Sequence, residues 1–223
     1  DRLRALGDEL STRNATAVEV LVADLETEAG CASVERVLAE GAVDLLVNNA
    51  GFGTYGEFVR LPLDRELAEV KLNVVAIVRL THAALGPMVG RGRGAVINVA
   101  STAAFQPIPY NATYAATKAF VLSFSEAVHE EVKGAGVTVC AVCPGPVRTE
   151  FVERAGIDVA GVPDLAWVDA DEVVSLALDA ARAGRSVEVP GSLNKLTAAV
   201  SQLAPRSVVR WIAGSIFKRV TRR

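Results

Sequence analysis

Tyr114 and Lys118 stand four residues apart in the run from Asn111 to Lys118, which reads as the first turns of a helix. Residues at i and i+4 project from one helical face, so the spacing holds an ammonium beside a phenol. A free tyrosine ionises near ~10 and is a poor acid–base catalyst at neutral pH. A fixed positive charge close by favours the phenolate, and lowering the pKa by ~2–3 units requires roughly 3–4 kcal/mol. Ser101 closes an apolar run just upstream, where its hydroxyl could meet the same substrate oxygen as the phenol. These residue types, so spaced, suit proton transfer at a substrate oxygen.

The elements that must position them fit one domain. The chain has 223 residues, 51% of them hydrophobic and 22% charged, enough for one sizeable core. A net charge of -3 and a sequence pI of about 5.5 supply no overall basic field, which argues against nucleic acid as a partner. The uncharged run Gly94 to Thr117 contains prolines, asparagines and a glutamine, so it does not read as a membrane span. Asp1-Arg2-Leu3-Arg4 opens no signal peptide of the usual kind. Cys31, Cys140 and Cys143 follow no disulfide framework and suit a reducing cytoplasm. Cys140 and Cys143 lie three apart on an expected strand, so they face opposite sides and read as core residues rather than a redox pair. His82 and His129 are each isolated on expected helices, and no metal site is expected.

Leucines at 3, 6 and 10 give Asp1 to Asn14 a helical stripe. Ala17 to Val22 is β-rich and leads into Asp24-Leu25; a helix with Val34, Val37 and Leu38 inward follows and stops at Gly41. Val43 to Val47 is an almost continuous apolar run of the kind found in covered parallel strands, and it ends in Asn48-Asn49-Ala50-Gly51. The spacing then predicts a long helix over Asp64 to Leu85 carrying Asn73, a strand at Ala95 to Val99, and a helix at Thr113 to Lys133. A strand at Val137 to Val142, a helix at Asp171 to Ala183 and a last strand at Val187 to Pro190 complete the series. This alternation predicts an α/β fold with a doubly wound parallel sheet, in which ligands bind beyond the carboxyl ends of the strands. Asp24, Asn48 to Gly51, Ser101 and Pro144 to Thr149 each follow directly on an expected strand. They would therefore share one edge.

Ser101, Tyr114 and Lys118, in this order and setting, resemble the short-chain dehydrogenase/reductase family, as does the Asn48-Asn49-Ala50-Gly51 run. The resemblance implies a Rossmann-like oxidoreductase that moves a hydride between nicotinamide and the carbon of a ketone, aldehyde or alcohol. It implies that Tyr114 is the acid in reduction and the base in oxidation, and that Lys118 lowers the tyrosine pKa and holds the nicotinamide ribose. Ser101 would polarise the carbonyl, and Asn73, in Lys71-Leu72-Asn73-Val74, would support a proton relay through its backbone carbonyl. The cofactor positions it implies are Asp24 and Leu25 at the adenine, Asn48, Ala50 and Gly51 along the groove, Tyr114 and Lys118 at the ribose, and Pro144, Gly145, Val147 and Thr149 at the nicotinamide end. Read alone, Asp24 is a polar strand end, Asn73 a solvated or capping residue, and Pro144 to Thr149 a proline-rich turn. NADP is the implied cofactor, with NAD as the alternative, and a homodimer or homotetramer the implied assembly.

Gly51-Phe-Gly-Thr-Tyr-Gly56 fits the Gly-x-Gly-x-x-Gly pattern, yet the next helix is expected only near Asp64. It cannot set pyrophosphate on a helix N-terminus. The family's glycine-rich loop belongs to an earlier strand–helix–strand unit of about 30 or more residues, whereas only the residues up to Asn14 precede Ala15. The chain is accordingly expected to be N-terminally incomplete, and the residues that would separate NAD from NADP are not read. Beyond Thr149, residues 150–165 resemble the family's substrate lid, where Phe151, Val152, Ile157, Val159 and Val162 suggest an apolar substrate. Arg206 to Arg223 holds six basic residues and no acidic ones around Val208, Val209, Trp211, Ile212, Ile216 and Phe217. It reads either as a helix docked on protein or as one lying on an anionic membrane surface. Two other functions stay open: a non-catalytic scaffold or membrane-docked interaction domain that keeps the fold, and an epimerase or dehydratase sharing the tyrosine and lysine.

Overall fold

In the computed structural model, which describes residues 2–41, 43–149, 164–205 and 207–208, four strands pair in parallel. They are β1 (Leu45–Asn48), β2 (Gly94–Val99), β3 (Val137–Val142) and β4 (Val187–Glu188), in that spatial order. Helices α1 (Arg2–Asn14), α2 (Glu28–Glu40), α3 (Leu63–Arg91), α4 (Ala112–Val132), α5 (Ala170–Arg182) and α6 (Ser192–Leu203) surround them.

Alternation along β3 explains the two layers of helix. Val137, Val139, Ala141 and the following Cys143 face α3 and α4, joining Leu80, Ala84 and Met88 at one end and Ile77, Val121 and Leu122 at the other. Cys140 and Val142 face the opposite way, with Ile97 of β2, onto Ala177, Ala180 and Ala181 of α5. The sheet is covered on both faces, which is why its central strands read as unbroken apolar runs. Cys140 and Cys143 are buried free thiols on opposite faces, as their spacing requires.

The apolar layer between sheet and helices contains one polar chain. Asn48 Nδ2 donates to Thr81 Oγ1 at 3.1 Å and to Asn98 Oδ1 at 2.8 Å, and Asn98 Nδ2 donates to Ser125 Oγ at 2.9 Å. It ties β1 and β2 to α3 and α4.

The structure departs from the sequence expectation at four places. Ala17 to Val22 is not a strand: a strand needs a ladder partner, and among the described residues no strand lies beside this segment. Val20, Leu21 and Val22 are exposed, while Val18 and Val20 meet α1 at Gly7. The long helix runs six residues past Leu85, to Arg91, and its residues Lys71–Ala76 form a π turn. The last strand stops at Glu188 because pairing with β3 covers only Val187 and Glu188. Helix α6, capped where Gly191 turns the chain, follows from no pattern singled out in the sequence. Residues 150–163 of the lid expected at 150–165, and nearly all of the basic tail, lie outside the described residues.

Candidate active site

Pairing between β2 and β3 continues past the strand ends and fixes the loops that follow them. Ala100 N–H donates to Val142 O at 2.8 Å and Thr102 N–H to Pro144 O at 2.9 Å, which brackets Ser101 beside Pro144 at the carboxyl edge of the sheet. Ser101 Oγ accepts from Ala103 N–H at 3.1 Å, capping a short 3-10 turn over Thr102–Phe105. The same hydroxyl is hydrogen-bonded to the side chain of Tyr114.

Tyr114 lies in the first turn of α4. Its ring packs against Ala103, Ile108 and Ala115, and from the other side against the bare backbone of Gly53. Lys118 follows one turn on, with Nζ 5.6 Å from the centre of the tyrosine ring. The ammonium is 5% exposed and donates to Val99 O at 2.7 Å, the carbonyl that ends β2. One of its three donors is thereby used.

Burial dominates the electrostatics of this pair. It pushes the Tyr114 hydroxyl up to about 12, with Ser101 pulling the other way and the charge of Glu69 adding to the rise. It pushes Lys118 down to about 8, which the charge of Glu69 opposes. The expectation that Lys118 lowers the tyrosine pKa is not met by the protein alone. Desolvation, which disfavours both ions, is the largest effect on each.

Asn73 enters from α3, wholly buried within the π turn. π turns interrupt the regular hydrogen-bond ladder and recur at functional sites. Its side chain clamps the loop after β1: Nδ2 donates to Phe52 O at 2.8 Å and to Thr117 Oγ1 at 3.2 Å, and Oδ1 accepts from Phe52 N–H at 3.2 Å. A Cβ on Gly51 would stand 2.9 Å from Asn73 Oδ1 and 3.6 Å from Lys118 Nζ. Only a glycine lets this loop pass between the two. Asn73, Ser101, Tyr114, Lys118 and Gly51 are thus gathered at one end of β2.

The other expected cofactor positions divide. The Asn48 side chain is spent on the polar chain beneath the sheet edge, whereas Ala50 is exposed at the lip. Gly145 is approached by Asn194, whose Nδ2 would lie 2.4 Å from an added Cβ. Asn194 also donates to Ala166 O at 3.2 Å and Pro190 O at 3.0 Å, so it ties the segment after Pro144 to the start of α6. Val147 bridges to Val168, and Thr149, exposed, donates its N–H to Val147 O at 2.9 Å. Asp24 does not follow a paired strand; its Oδ1 accepts from Glu26 N–H at 3.0 Å within its own turn, and Leu25 packs into the core beside Leu38. The Leu25 side chain is partly buried there, so what it leaves toward the sheet edge is chiefly its backbone.

Two buried carboxyls went unnoticed in the sequence. Glu66 and Glu69 of α3 are 4% and 0% exposed and both reach Thr54, in the loop that carries Gly53. In Leu63-Asp-Arg-Glu-Leu-Ala-Glu-Val70 they look like the solvated face of a helix. A clue was Thr54 and Thr113, hydroxyls flanking the two segments that meet Tyr114.

Comparison with known proteins places the site in context. Residues 1–159 match the family model described as short chain dehydrogenase. A ketoacyl reductase, HetN, of a Nostoc species is 33% identical over 180 residues, covering 76% of this chain and 61% of that protein. The very-long-chain 3-oxoacyl-CoA reductase of Bos taurus is 32% identical over 157 residues, covering 69% of this chain and 50% of its own. This chain therefore spans about half to three fifths of the length of these relatives. Among solved structures, a short-chain dehydrogenase from Sphingobium yanoikuyae in complex with NADPH superposes with a TM-score of 0.80 at 36% identity, covering 91% of this chain and 81% of that one. A bulky-bulky ketone specific alcohol dehydrogenase from Comamonas testosteroni gives 0.75 at 29% identity, covering 91% and 79%.

Proposed function

The chain belongs to the short-chain dehydrogenase family, and from that premise we propose that it interconverts a ketone or aldehyde and an alcohol with NADP(H), using Tyr114 as the acid–base residue. The observation that carries the reading is the Tyr114 hydroxyl, bonded to Ser101 and held one turn from the Lys118 ammonium where β2 ends. NADPH accompanies the Sphingobium structure. The residues here suit such a cofactor: the ammonium keeps donors beyond the one given to Val99 O, and Gly51 leaves the backbone bare beside it.

When bound, the nicotinamide supplies or accepts the hydride and, oxidised, brings a positive charge. Tyr114 donates its proton to the developing alkoxide in reduction and takes it back in oxidation. The Ser101 hydroxyl bonds the same oxygen and stabilises its charge. A phenol held up to about 12 is fully protonated yet a weaker acid than free tyrosine, so a further positive charge is needed both to ease its proton transfer in reduction and to bring the phenolate within reach near neutral pH. Lys118 and the oxidised ring together meet that need. Asn73 holds the loop at Phe52 so that the backbone at Gly51 stays beside Lys118. Exposed Val75 and Phe120, on the outer faces of α3 and α4, support assembly as a homodimer or homotetramer.

Fluorescence titration with NADPH, followed by turnover of a ketone panel, tests the reading. Tyr114→Phe should keep NADPH binding and lose turnover by orders of magnitude. Retained turnover removes Tyr114 from its role. NADPH binding by neither this chain nor a version extended upstream favours the scaffold alternative, whereas binding only by the extended version keeps the enzyme reading.

A further inference from the structure

The proposed reaction makes no use of Glu66 and Glu69, yet few groups in the molecule are more tightly enclosed. Thr54 stands between them, with Oγ1 2.5 Å from Glu66 Oε1 and 2.8 Å from Glu69 Oε2. Thr54 N–H also donates to Glu69 Oε2, at 3.0 Å. The Thr113 hydroxyl donates to the other oxygen of Glu66. Glu69 Oε1 is buried and finds no hydrogen-bond partner among the described residues.

Counting protons decides how this arrangement can exist. A threonine hydroxyl has one hydrogen to give and accepts through its lone pairs. With both carboxyls ionised, Thr54 satisfies one and turns a lone pair toward the other, at contact distance and away from water. Such an arrangement sets a lone pair against one buried carboxylate and leaves that anion a single donor, Thr113 for Glu66 or the Thr54 N–H for Glu69, too few to offset its burial. One added proton completes the chain, because a carboxylic O–H can donate to Thr54 while Thr54 donates to the remaining carboxylate.

We propose that Glu66 and Glu69 share one proton through the Thr54 hydroxyl, and that Glu69 is thereby a positioning residue that sets the charge facing Tyr114 and Lys118. The second half rests on the acid–base reading of Tyr114 given above. Three contacts connect the pair to the dyad: Gly53, next to Thr54, packs on the tyrosine ring; Thr113 directly precedes Tyr114; and Asn111 at the start of α4 donates to Thr54 O. The titratable and charged groups around the pair are Arg65 on the same helix, over the Phe52 ring; Tyr55 in the loop; and Tyr114 and Lys118 from α4. Burial pushes Glu69 up to about 7, the Thr54 bonds oppose this and the charge of Glu66 adds to it. An ionised Glu69 raises both Tyr114 and Lys118. Loss of the shared proton therefore opposes formation of the phenolate, which alcohol oxidation needs, and leaves the phenol that reduction needs.

Infrared titration of the whole chain reads the proton without any ligand. The wild type should show a protonated-carboxyl band that disappears with a midpoint of about 7. Glu69→Gln, of the same shape, should lack it. Glu66→Gln offers Thr54 an amide donor and removes the neighbouring charge, so the midpoint should fall by about one pH unit or more. A band that persists in Glu69→Gln, or is unmoved in Glu66→Gln, overturns the shared proton. Oxidation of 2-octanol by NADP+ as a function of pH reads the second half: the acid limb in Glu69→Gln should move down by roughly half to one pH unit. An active variant with an unchanged profile overturns the positioning role. An infrared titration as expected, with no NADP+ binding and no alcohol oxidation even in a version extended upstream, keeps the shared proton and sinks the oxidoreductase reading alone.

Discussion

Gly53→Ala is a small perturbation aimed at the Tyr114 ring. The added methyl would lie 2.9 Å from Tyr114 Cδ2, 3.2 Å from Cγ and 3.4 Å from Cε2, where ordinary contact begins near 3.4 Å. Loop and ring must therefore part by about 0.5 Å. The ring has little room to retreat, since Ala103, Ile108 and Ala115 pack its surroundings and Ser101 holds its hydroxyl. Nor is the loop free to rise, because Asn73 clamps Phe52 and Glu69 clamps Thr54. Most of the shift is passed to the hydroxyl. A misplacement of ~1 Å costs ~100-fold in rate, so half of that predicts ~10-fold in kcat, or ~1.4 kcal/mol of barrier. The assay is kcat for ketone reduction beside NADPH affinity and thermal unfolding, with Gly90→Ala as control, since an added Cβ there meets nothing within 4 Å. A kcat within twofold of wild type in a folded Gly53→Ala protein refutes the reasoning.

Asn98→Ala should destabilise by about 2–3 kcal/mol, because it removes an acceptor of Asn48 and a donor to Ser125 inside an apolar layer; urea unfolding measures it. It should also lower turnover, since both helices that carry site residues are anchored there. Stability of the wild type should fall as pH rises from about 4.5 to about 7, by ~3 kcal/mol, because the folded state keeps a proton on Glu69 that the unfolded chain releases. Glu69→Gln should flatten that dependence, and equal unfolding free energies from urea titrations at pH 5 and 8 would count against a raised Glu69. Gly94→Ala should cost a few kcal/mol, as φ is +154° and the new Cβ would stand 2.5 Å from Met88 Cγ; the thermal midpoint reports it.

The sheet was legible in the sequence because burial on both faces leaves a continuous apolar signature, and Val137 to Val142 appears with the bounds its pattern gave. Gathering of Ser101, Tyr114 and Lys118 was legible too, since helical spacing and strand ends fix where such residues emerge. What escaped depends on partners distant in the chain. Whether Ala17 to Val22 becomes a strand turns on a neighbour to pair with, which β propensity does not encode. The π turn at Lys71–Ala76 is invisible in a run of ordinary helix formers. The tyrosine pKa was expected to fall from charge alone, yet the aromatic and aliphatic packing that buries it carries the larger effect. Glu66 and Glu69 looked solvated because nothing local announces that Thr54 and Thr113 will close over them.

The polar chain from Asn48 to Ser125 explains how so small a set of side chains keeps its geometry. Helices α3 and α4 meet the sheet largely through alanine, valine and leucine, and such surfaces slide past one another at little cost. Hydrogen bonds between buried amides and hydroxyls do not slide: any displacement of one residue leaves a donor or acceptor unpaired in an apolar layer. Thr81 lies on α3 about two turns beyond Asn73, and Ser125 on α4 about two turns beyond Lys118. Pinning each helix at that point to the same pair of asparagines fixes the axial position of both against β1 and β2. The register that puts Asn98 opposite Asn48 then also brings the Lys118 ammonium to the carbonyl of Val99, one residue further along β2. The spacing of Asn73, Tyr114 and Lys118 against the sheet is set two turns below the site itself.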